Sequence, residues 1–290
     1  MSTLVPGRVA SWRQTYWDWR AAGNFALGGS GTGVLLYAAV VSSTALSLGL
    51  LGAALISGGL LCVWFEIGRP WRALNVFRHA NSSWMTREAI IAPLLLASGL
   101  GGPWYGSRAL LWLSGALALA YLYCQARMLN GGRGIPAWRH PRLVPLLLVT
   151  GLAEGSGLGV LIQLLLEPDA RPSWTAWLLV GLLLARVLAF VTYRSGLRTT
   201  GAPRRALDKL ARFGRALVSI DALAAAAAAL GAISPRYVWL LGAAGLICAA
   251  AGWSLKYTIV VRAAFNQGFA LPMTPVRGSG TTHAGARPGW

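Results

Sequence analysis

Acidic side chains are scarce in this 290-residue chain: 8 Asp and Glu stand against 26 Lys and Arg, for a net charge of +18. Charged residues of both signs make up only 12% of the chain, well below the usual share of a soluble domain, while 56% of residues are hydrophobic. So few polar side chains cannot cover a core of this size, and lipid must supply the outer solvent. Histidine is rare as well. His79, His140 and His283 are the full set, and all three fall between apolar runs or in the tail. A membrane cytochrome takes its haem ligands from inside its helices, so bound haem is not expected. Cys62, Cys124 and Cys248 lie far apart in apolar runs, with no C-x-x-C. That spacing gives no disulfide framework, zinc site or iron–sulfur ligand set, and the three read as small buried hydrophobes. No metal site is expected in this chain. If it has a redox role, an organic carrier such as a quinone must do the chemistry, and the metal centres must sit on partners.

What is abundant is apolar sequence in runs of spanning length. About 20 mostly apolar residues cross a bilayer as a helix. Eight segments qualify, at 27–46, 48–67, 85–103, 107–128, 143–166, 174–194, 211–232 and 236–258. The fold class is therefore all-α integral membrane with eight transmembrane helices. It divides into an N-terminal segment 1–26, a membrane domain 27–258 and a tail 259–290. Residues 1–26 carry Arg8, Arg13, Arg20, Asp18 and three tryptophans, without the short apolar core of a secretory signal.

The basic residues are sorted by side. The two termini and the even-numbered loops hold 22 of the 26, and the opposite side holds Arg108, Arg171 and Arg236. By the positive-inside rule the 22-charge side, with both termini, faces the cytoplasm of an inner membrane. The cations lie between apolar runs and form no nucleic-acid motif, so they read as topology signals and lipid anchors. Two loops on that side stand out. In 68–80, Trp71, Leu74 and Phe77 fall three apart, with Arg72, Asn75 and Arg78 on another face, the pattern of a short interfacial helix. The 194–215 loop is a basic amphipathic entry to the seventh helix, suited to lipid headgroups or to a docking partner.

Charges within the lipid slab are costly and by default mark a function. Glu66 and Glu88 lie near the cytoplasmic ends of helices two and three, with Glu154, Arg186 and Asp221 deeper. Those three could form a proton or ion path, or Arg186 could pair with Glu154 or Asp221. Lys256 lies near the end of the last helix and could snorkel to the interface. The densest cluster runs from Trp64 to Ala89 and brings Glu66, Arg69, Arg87 and Glu88 to one membrane face. Helix capping by one of the serines before the third helix, Ser82 or Ser83, accounts for part of it. A carboxylate there could also exchange the proton that accompanies electron transfer to a quinone.

The stretch EIGRPWRALNVFRHANSSWMTREA, from Glu66 to Ala89, resembles the signature loop of the dimethyl sulfoxide reductase membrane-anchor family. That family has a His-Leu-Gly-Arg-Pro element followed by a Ser-Trp-x-Ser-Arg-Glu element. This chain has Gly68, Arg69 and Pro70, then Ser83, Trp84, Arg87 and Glu88. The run NFALGGSGTG is similar to the first helix of the wider polysulfide-reductase anchor superfamily. The resemblance implies a heterotrimer: a molybdopterin catalytic subunit, a ferredoxin-like iron–sulfur subunit on the cytoplasmic loops, and this anchor. The anchor would exchange electrons with ubiquinone or menaquinone. The family's quinol-binding Glu carries over to Glu88, while its His position is Glu66 here. Arg69 and Arg87 complete the expected head-group site, with Asn24 and Trp84 as further contacts. A cytoplasmic face favours relatives that oxidise a cytoplasmic compound and reduce quinone. Segments of the tail, Asn266 to Gly278, resemble anchors of phenylacetyl-CoA:acceptor oxidoreductase. A cytoplasm-facing sulfite dehydrogenase anchor is the next relative. Two readings compete: a transporter or channel using Glu154, Arg186 and Asp221, and a purely structural anchor without a quinone site.

Overall fold

A chain in lipid must satisfy its backbone polar groups internally, and long apolar runs do so as helices. The computed structural model describes residues 11–41, 44–67, 74–77, 83–167 and 173–267. Its helices are α1 (Trp19–Val40), α2 (Ala45–Glu66), α3 (Trp84–Trp104), α4 (Arg108–Asn130), α5 (Pro136–Arg139), α6 (Leu143–Leu166), α7 (Ser173–Thr199), α8 (Arg204–Ile233) and α9 (Trp239–Tyr257). Among the described residues there is no strand, only an isolated antiparallel bridge between Arg13 and Phe265. The chain is a multi-pass membrane protein. Among the described residues, six helices are long and apolar enough to cross a membrane: α2, α4, α6, α7, α8 and α9 with its π-helical extension to Arg262.

Two helices of similar length, α1 and α3, fall outside that set for different reasons. In α3, Arg87, Glu88 and two prolines, Pro93 and Pro103, dilute the apolar run. In α1 the dilution comes from Asn24 and a Gly-Ser-Thr stretch, and it goes with position: the helix is buried along most of its length. It packs against α2, α4, α6 and α9. A helix enclosed by protein needs small residues more than lipid-soluble ones.

The close approach of α1 and α6 depends on Gly33 and Gly155. A methyl group built on Gly155 would strike the Gly33 backbone, and neither backbone can yield as a side-chain tip could. The approach of α6 to α9 is similar: a methyl on Gly157 would sit 2.8 Å from the Gly245 carbonyl oxygen. Gly155→Ala is therefore expected to destabilise the fold by about 1–3 kcal/mol, the cost of overpacking. Gly181 on α7 has open space around its added methyl. Gly181→Ala is expected to be stabilising by up to about 1 kcal/mol, the helix-propensity difference. Thermal unfolding of the two variants in one detergent measures the contrast.

The helix termini differ from the expected spans in two places. α1 begins at Trp19 rather than 27, because Asp18 caps it by accepting from the Arg20 amide at 2.8 Å. Arg20 also donates to the Phe65 carbonyl at the end of α2, at 2.8 Å, joining the two helix ends. The Arg20 guanidinium beside Asp18 holds that carboxyl below its ordinary range. The second difference is the expected 194–215 loop. α7 and α8 extend through most of it, leaving only residues 200–203 as a turn, with Gly201 at φ +72°. Of the interfacial helix expected at 68–80, residues 74–77 form a 3-10 turn, and the rest lies outside the described residues.

The chain segment before α1 is tied to the end of α9. Gln14 N donates to the Ala264 carbonyl at 2.9 Å and Asn266 N to the Trp12 carbonyl at 3.0 Å. The π-helical turn Thr258–Arg262 leaves carbonyls that side chains take up. Trp138 Nε1 donates to the Ile259 oxygen at 2.9 Å, and Gln14 Nε2 to the Val260 oxygen at 3.1 Å.

Candidate functional site

A cleft opens among α1, α2, α3 and α4 at the end of the molecule where the Trp64–Ala89 cluster lies. It holds two adjoining cavities that share Asn24, Val63, Ile67, Met85 and Met128 as walls. The larger, about 370 Å³, reaches Glu88. The smaller, about 180 Å³, reaches Glu66 and Trp17. Most of the surface is apolar. Trp64 and Met85, 49% and 40% exposed, stand at an apolar mouth. Val76 lines the larger cavity from the 74–77 turn, and its carbonyl accepts from the Thr86 hydroxyl at the start of α3.

The polar end of the cleft is buried. Glu88 is 3% exposed, Asn24 3% and Gln125 2%. Gln125 Nε2 donates to Glu88 Oε1 at 3.1 Å and to the Asn24 carbonyl oxygen at 3.2 Å. The Tyr121 hydroxyl also stands beside the Glu88 carboxyl. Among the described residues, Asn24 Oδ1, Gln125 Oε1 and Tyr121 Oη are all buried without a hydrogen-bond partner. Each such atom costs about 1–3 kcal/mol if nothing meets it. Of the three residues, Asn24 lines both cavities, and a polar ligand edge there would meet its oxygen.

The expected site residues separate. Glu88 and Asn24 come together on the larger cavity, while Glu66, half-buried at the end of α2, borders the smaller one. Trp84 and Arg87 do not line either cavity. The Arg87 guanidinium stacks over the Trp84 ring at 4.3 Å, and Arg127 of α4 lies over the same ring at 5.0 Å. On α3, Met85 and Glu88 share the cavity face, which turns Arg87 away from it, and the Trp84 ring is taken up by the two guanidinium groups. Arg69 lies outside the described residues. Gln125 and Tyr121 went unnoticed in the sequence. Their signal was present: a Gln inside an apolar run, one turn after a Tyr and nearly one turn before Met128, all on one helix face.

Beyond the stacked arginines, a polar hollow of about 450 Å³ is bordered by Trp84, Arg127, Asn130, Arg133 and Arg139. His140, next along the chain, is buried, and its Nδ1 accepts from the Arg142 amide at 3.2 Å. Burial first, and then the Arg142 charge, lower its pKa, so this imidazole stays neutral at pH 7.

The deeper charges form two pairs, and among the described residues Glu154 Oε1 has no hydrogen-bond partner. Arg186 donates from Nε and Nη2 to the two oxygens of Asp221, at 2.8 and 2.5 Å, and from Nη1 to the Cys248 carbonyl at 2.9 Å. Lys256 Nζ donates to Glu154 Oε2 at 2.6 Å, and Ser30 Oγ donates to the same oxygen at 2.7 Å. Trp253 Nε1 in turn donates to Ser30 Oγ at 2.7 Å. Lys256 does not snorkel. It is 1% exposed because Glu154 on α6 holds its ammonium inside the bundle. Arg186 takes Asp221 as its partner rather than Glu154. Neither pair lines the cavities above.

Among the described residues no three His, Cys, Asp or Glu side chains converge as a metal site would require. No family model matches the chain, and no curated protein matches it.

Proposed function

We propose that this chain is the membrane-anchor subunit of a molybdopterin and iron–sulfur oxidoreductase, with its quinone site in the α1–α4 cleft. The observation that carries the reading is the buried Glu88 carboxyl at the closed end of an apolar cavity, beside the unpartnered Asn24 Oδ1. The residues fit a flat apolar ring with polar groups at its edge. Val63, Met85 and Met128 would hold the ring, and the apolar mouth would admit an isoprenoid tail from lipid. A bound quinone supplies two-electron, two-proton acceptor chemistry. Glu88 holds a proton at a carboxyl oxygen within reach of the cavity. Gln125 orients that carboxyl through its amide, and the apolar walls keep bulk water from it.

In this reading eight helices cross an inner membrane, with α1 enclosed and α3 completing the cleft. The 22-charge side and both termini face the cytoplasm. The iron–sulfur subunit docks there, where the hollow bordered by Arg127, Arg133 and Arg139 suits an acidic partner surface. The substrate of the catalytic subunit is then cytoplasmic, such as an arylacetyl-CoA thioester, with electrons passing to quinone. The resemblance of the Glu66–Ala89 stretch to anchors of this kind supports the assignment independently of the cavity.

Mass spectrometry of the gently extracted assembly, with metal analysis of the same sample, tests it. A molybdenum- or tungsten-containing large subunit and an iron–sulfur subunit, each in one-to-one ratio with this chain, are expected. A lone chain that is stable and free of metals through purification would overturn the proposal.

A further inference from the structure

Away from the cleft, α7 and α8 border a groove of about 470 Å³. Its two ends differ in chemistry. Phe190, Val191 and Val218 line the apolar end, and Arg194, Arg198 and Arg215 line the other. From residue 190 to residue 198 a helix advances about 12 Å. Over that length the lining changes from hydrocarbon to three guanidinium groups. Val191 is half exposed, so the apolar end is open to lipid.

The charges of Arg198 and Arg215 both bear on Arg194. Among the described residues, none of the three forms an ion pair with a carboxylate. Arg194 Nε is buried and has no hydrogen-bond partner. Three like charges around a groove, one with a buried unmet donor, call for an anion with several acceptor oxygens. The apolar end requires that anion to carry a hydrocarbon chain.

We infer that the α7–α8 groove binds an anionic phospholipid, its phosphate between Arg194, Arg198 and Arg215 and an acyl chain along Phe190, Val191 and Val218. A phosphodiester supplies the acceptor oxygens, and the basic end lies on the side where anionic lipid and juxtamembrane arginines attract. This assignment requires only that the chain sits in a membrane, and it stands or falls separately from the quinone site.

Native mass spectrometry of the purified full chain, titrated with phosphatidylglycerol or phosphatidylcholine, tests it. Phosphatidylglycerol is expected to bind at least about tenfold more tightly than phosphatidylcholine. The triple variant Arg194→Gln/Arg198→Gln/Arg215→Gln should bring the two lipids level. Val218→Trp, which fills the acyl end without changing charge, should weaken phosphatidylglycerol binding too. Inorganic phosphate in equal amount should not displace the lipid, and displacement would reduce the groove to a plain anion site. Equal binding of both lipids by the wild type would overturn the inference and leave an acidic protein surface as the occupant. Should the triple variant fail to fold, the exposed single change Arg198→Gln decides. It should lower phosphatidylglycerol affinity about fivefold, the effect of one interfacial cation, and unchanged affinity would overturn the inference.

Discussion

Asp221→Leu is expected to destabilise the protein by about 3–5 kcal/mol, the cost of leaving a buried charge without its partner. Arg186 and Asp221 both have side chains at 0% exposure. The Arg186 guanidinium cannot reach water, because it sits among α7, α8 and α9 with Nη1 held on the Cys248 carbonyl. Removing the carboxylate therefore strands a cation in a medium that solvates it poorly. The double variant Arg186→Met/Asp221→Leu is expected to recover most of the loss, since apolar side chains of similar volume replace a buried pair at little cost. Thermal unfolding of both variants in detergent gives the comparison. A double variant as unstable as the single one would mean that the pair does more than neutralise itself. The same logic applies to Glu154 and Lys256, where Ser30 and Trp253 add hydrogen bonds that an apolar replacement would have to forgo.

Glu88→Gln is expected to lower quinone-linked turnover by at least about 100-fold, the usual contribution of a positioned proton-transfer group. The change is nearly isosteric and keeps an oxygen for the Gln125 amide, so the cleft and the docking face should survive. Assembly with partner subunits should be unchanged, as should turnover with an artificial acceptor that draws electrons from the iron–sulfur subunit directly. The contrast between the two acceptors in one purified preparation is the measurement. Equal activity with quinone in wild type and variant would remove Glu88 from proton transfer and favour a purely structural anchor.

Much of the architecture was legible in the sequence because lipid allows few solutions. Runs of spanning length became helices with ends near the expected positions, and Leu143–Leu166 matches its expected span. The errors have local causes. The first helix was expected eight residues too late because Trp19, Arg20 and Asn24 break the apolar run, although Asp18 caps a helix that simply extends into the interface. From sequence the basic 194–215 stretch reads as a loop, because its charges interrupt the apolar run. In fact α7 and α8 carry their arginines on helical turns beyond the apolar run. Of the candidate site, Glu88 and Asn24 were legible as polar residues in an apolar setting. That Arg87, one residue from Glu88, stacks on Trp84 away from the cavity was not.

By itself the sequence determined the helical class and the approximate spans, since both follow from local composition and the thickness of a bilayer. The tertiary structure alone decided how each helix is rotated and which buried charges meet: Arg186 with Asp221, Lys256 with Glu154, and Glu88 with Gln125. In water, an apolar stripe reports which face of a helix points inward. In lipid both faces are apolar, so rotation is set by close contacts such as Gly33 on Gly155 and by the demand that every buried charge find a partner.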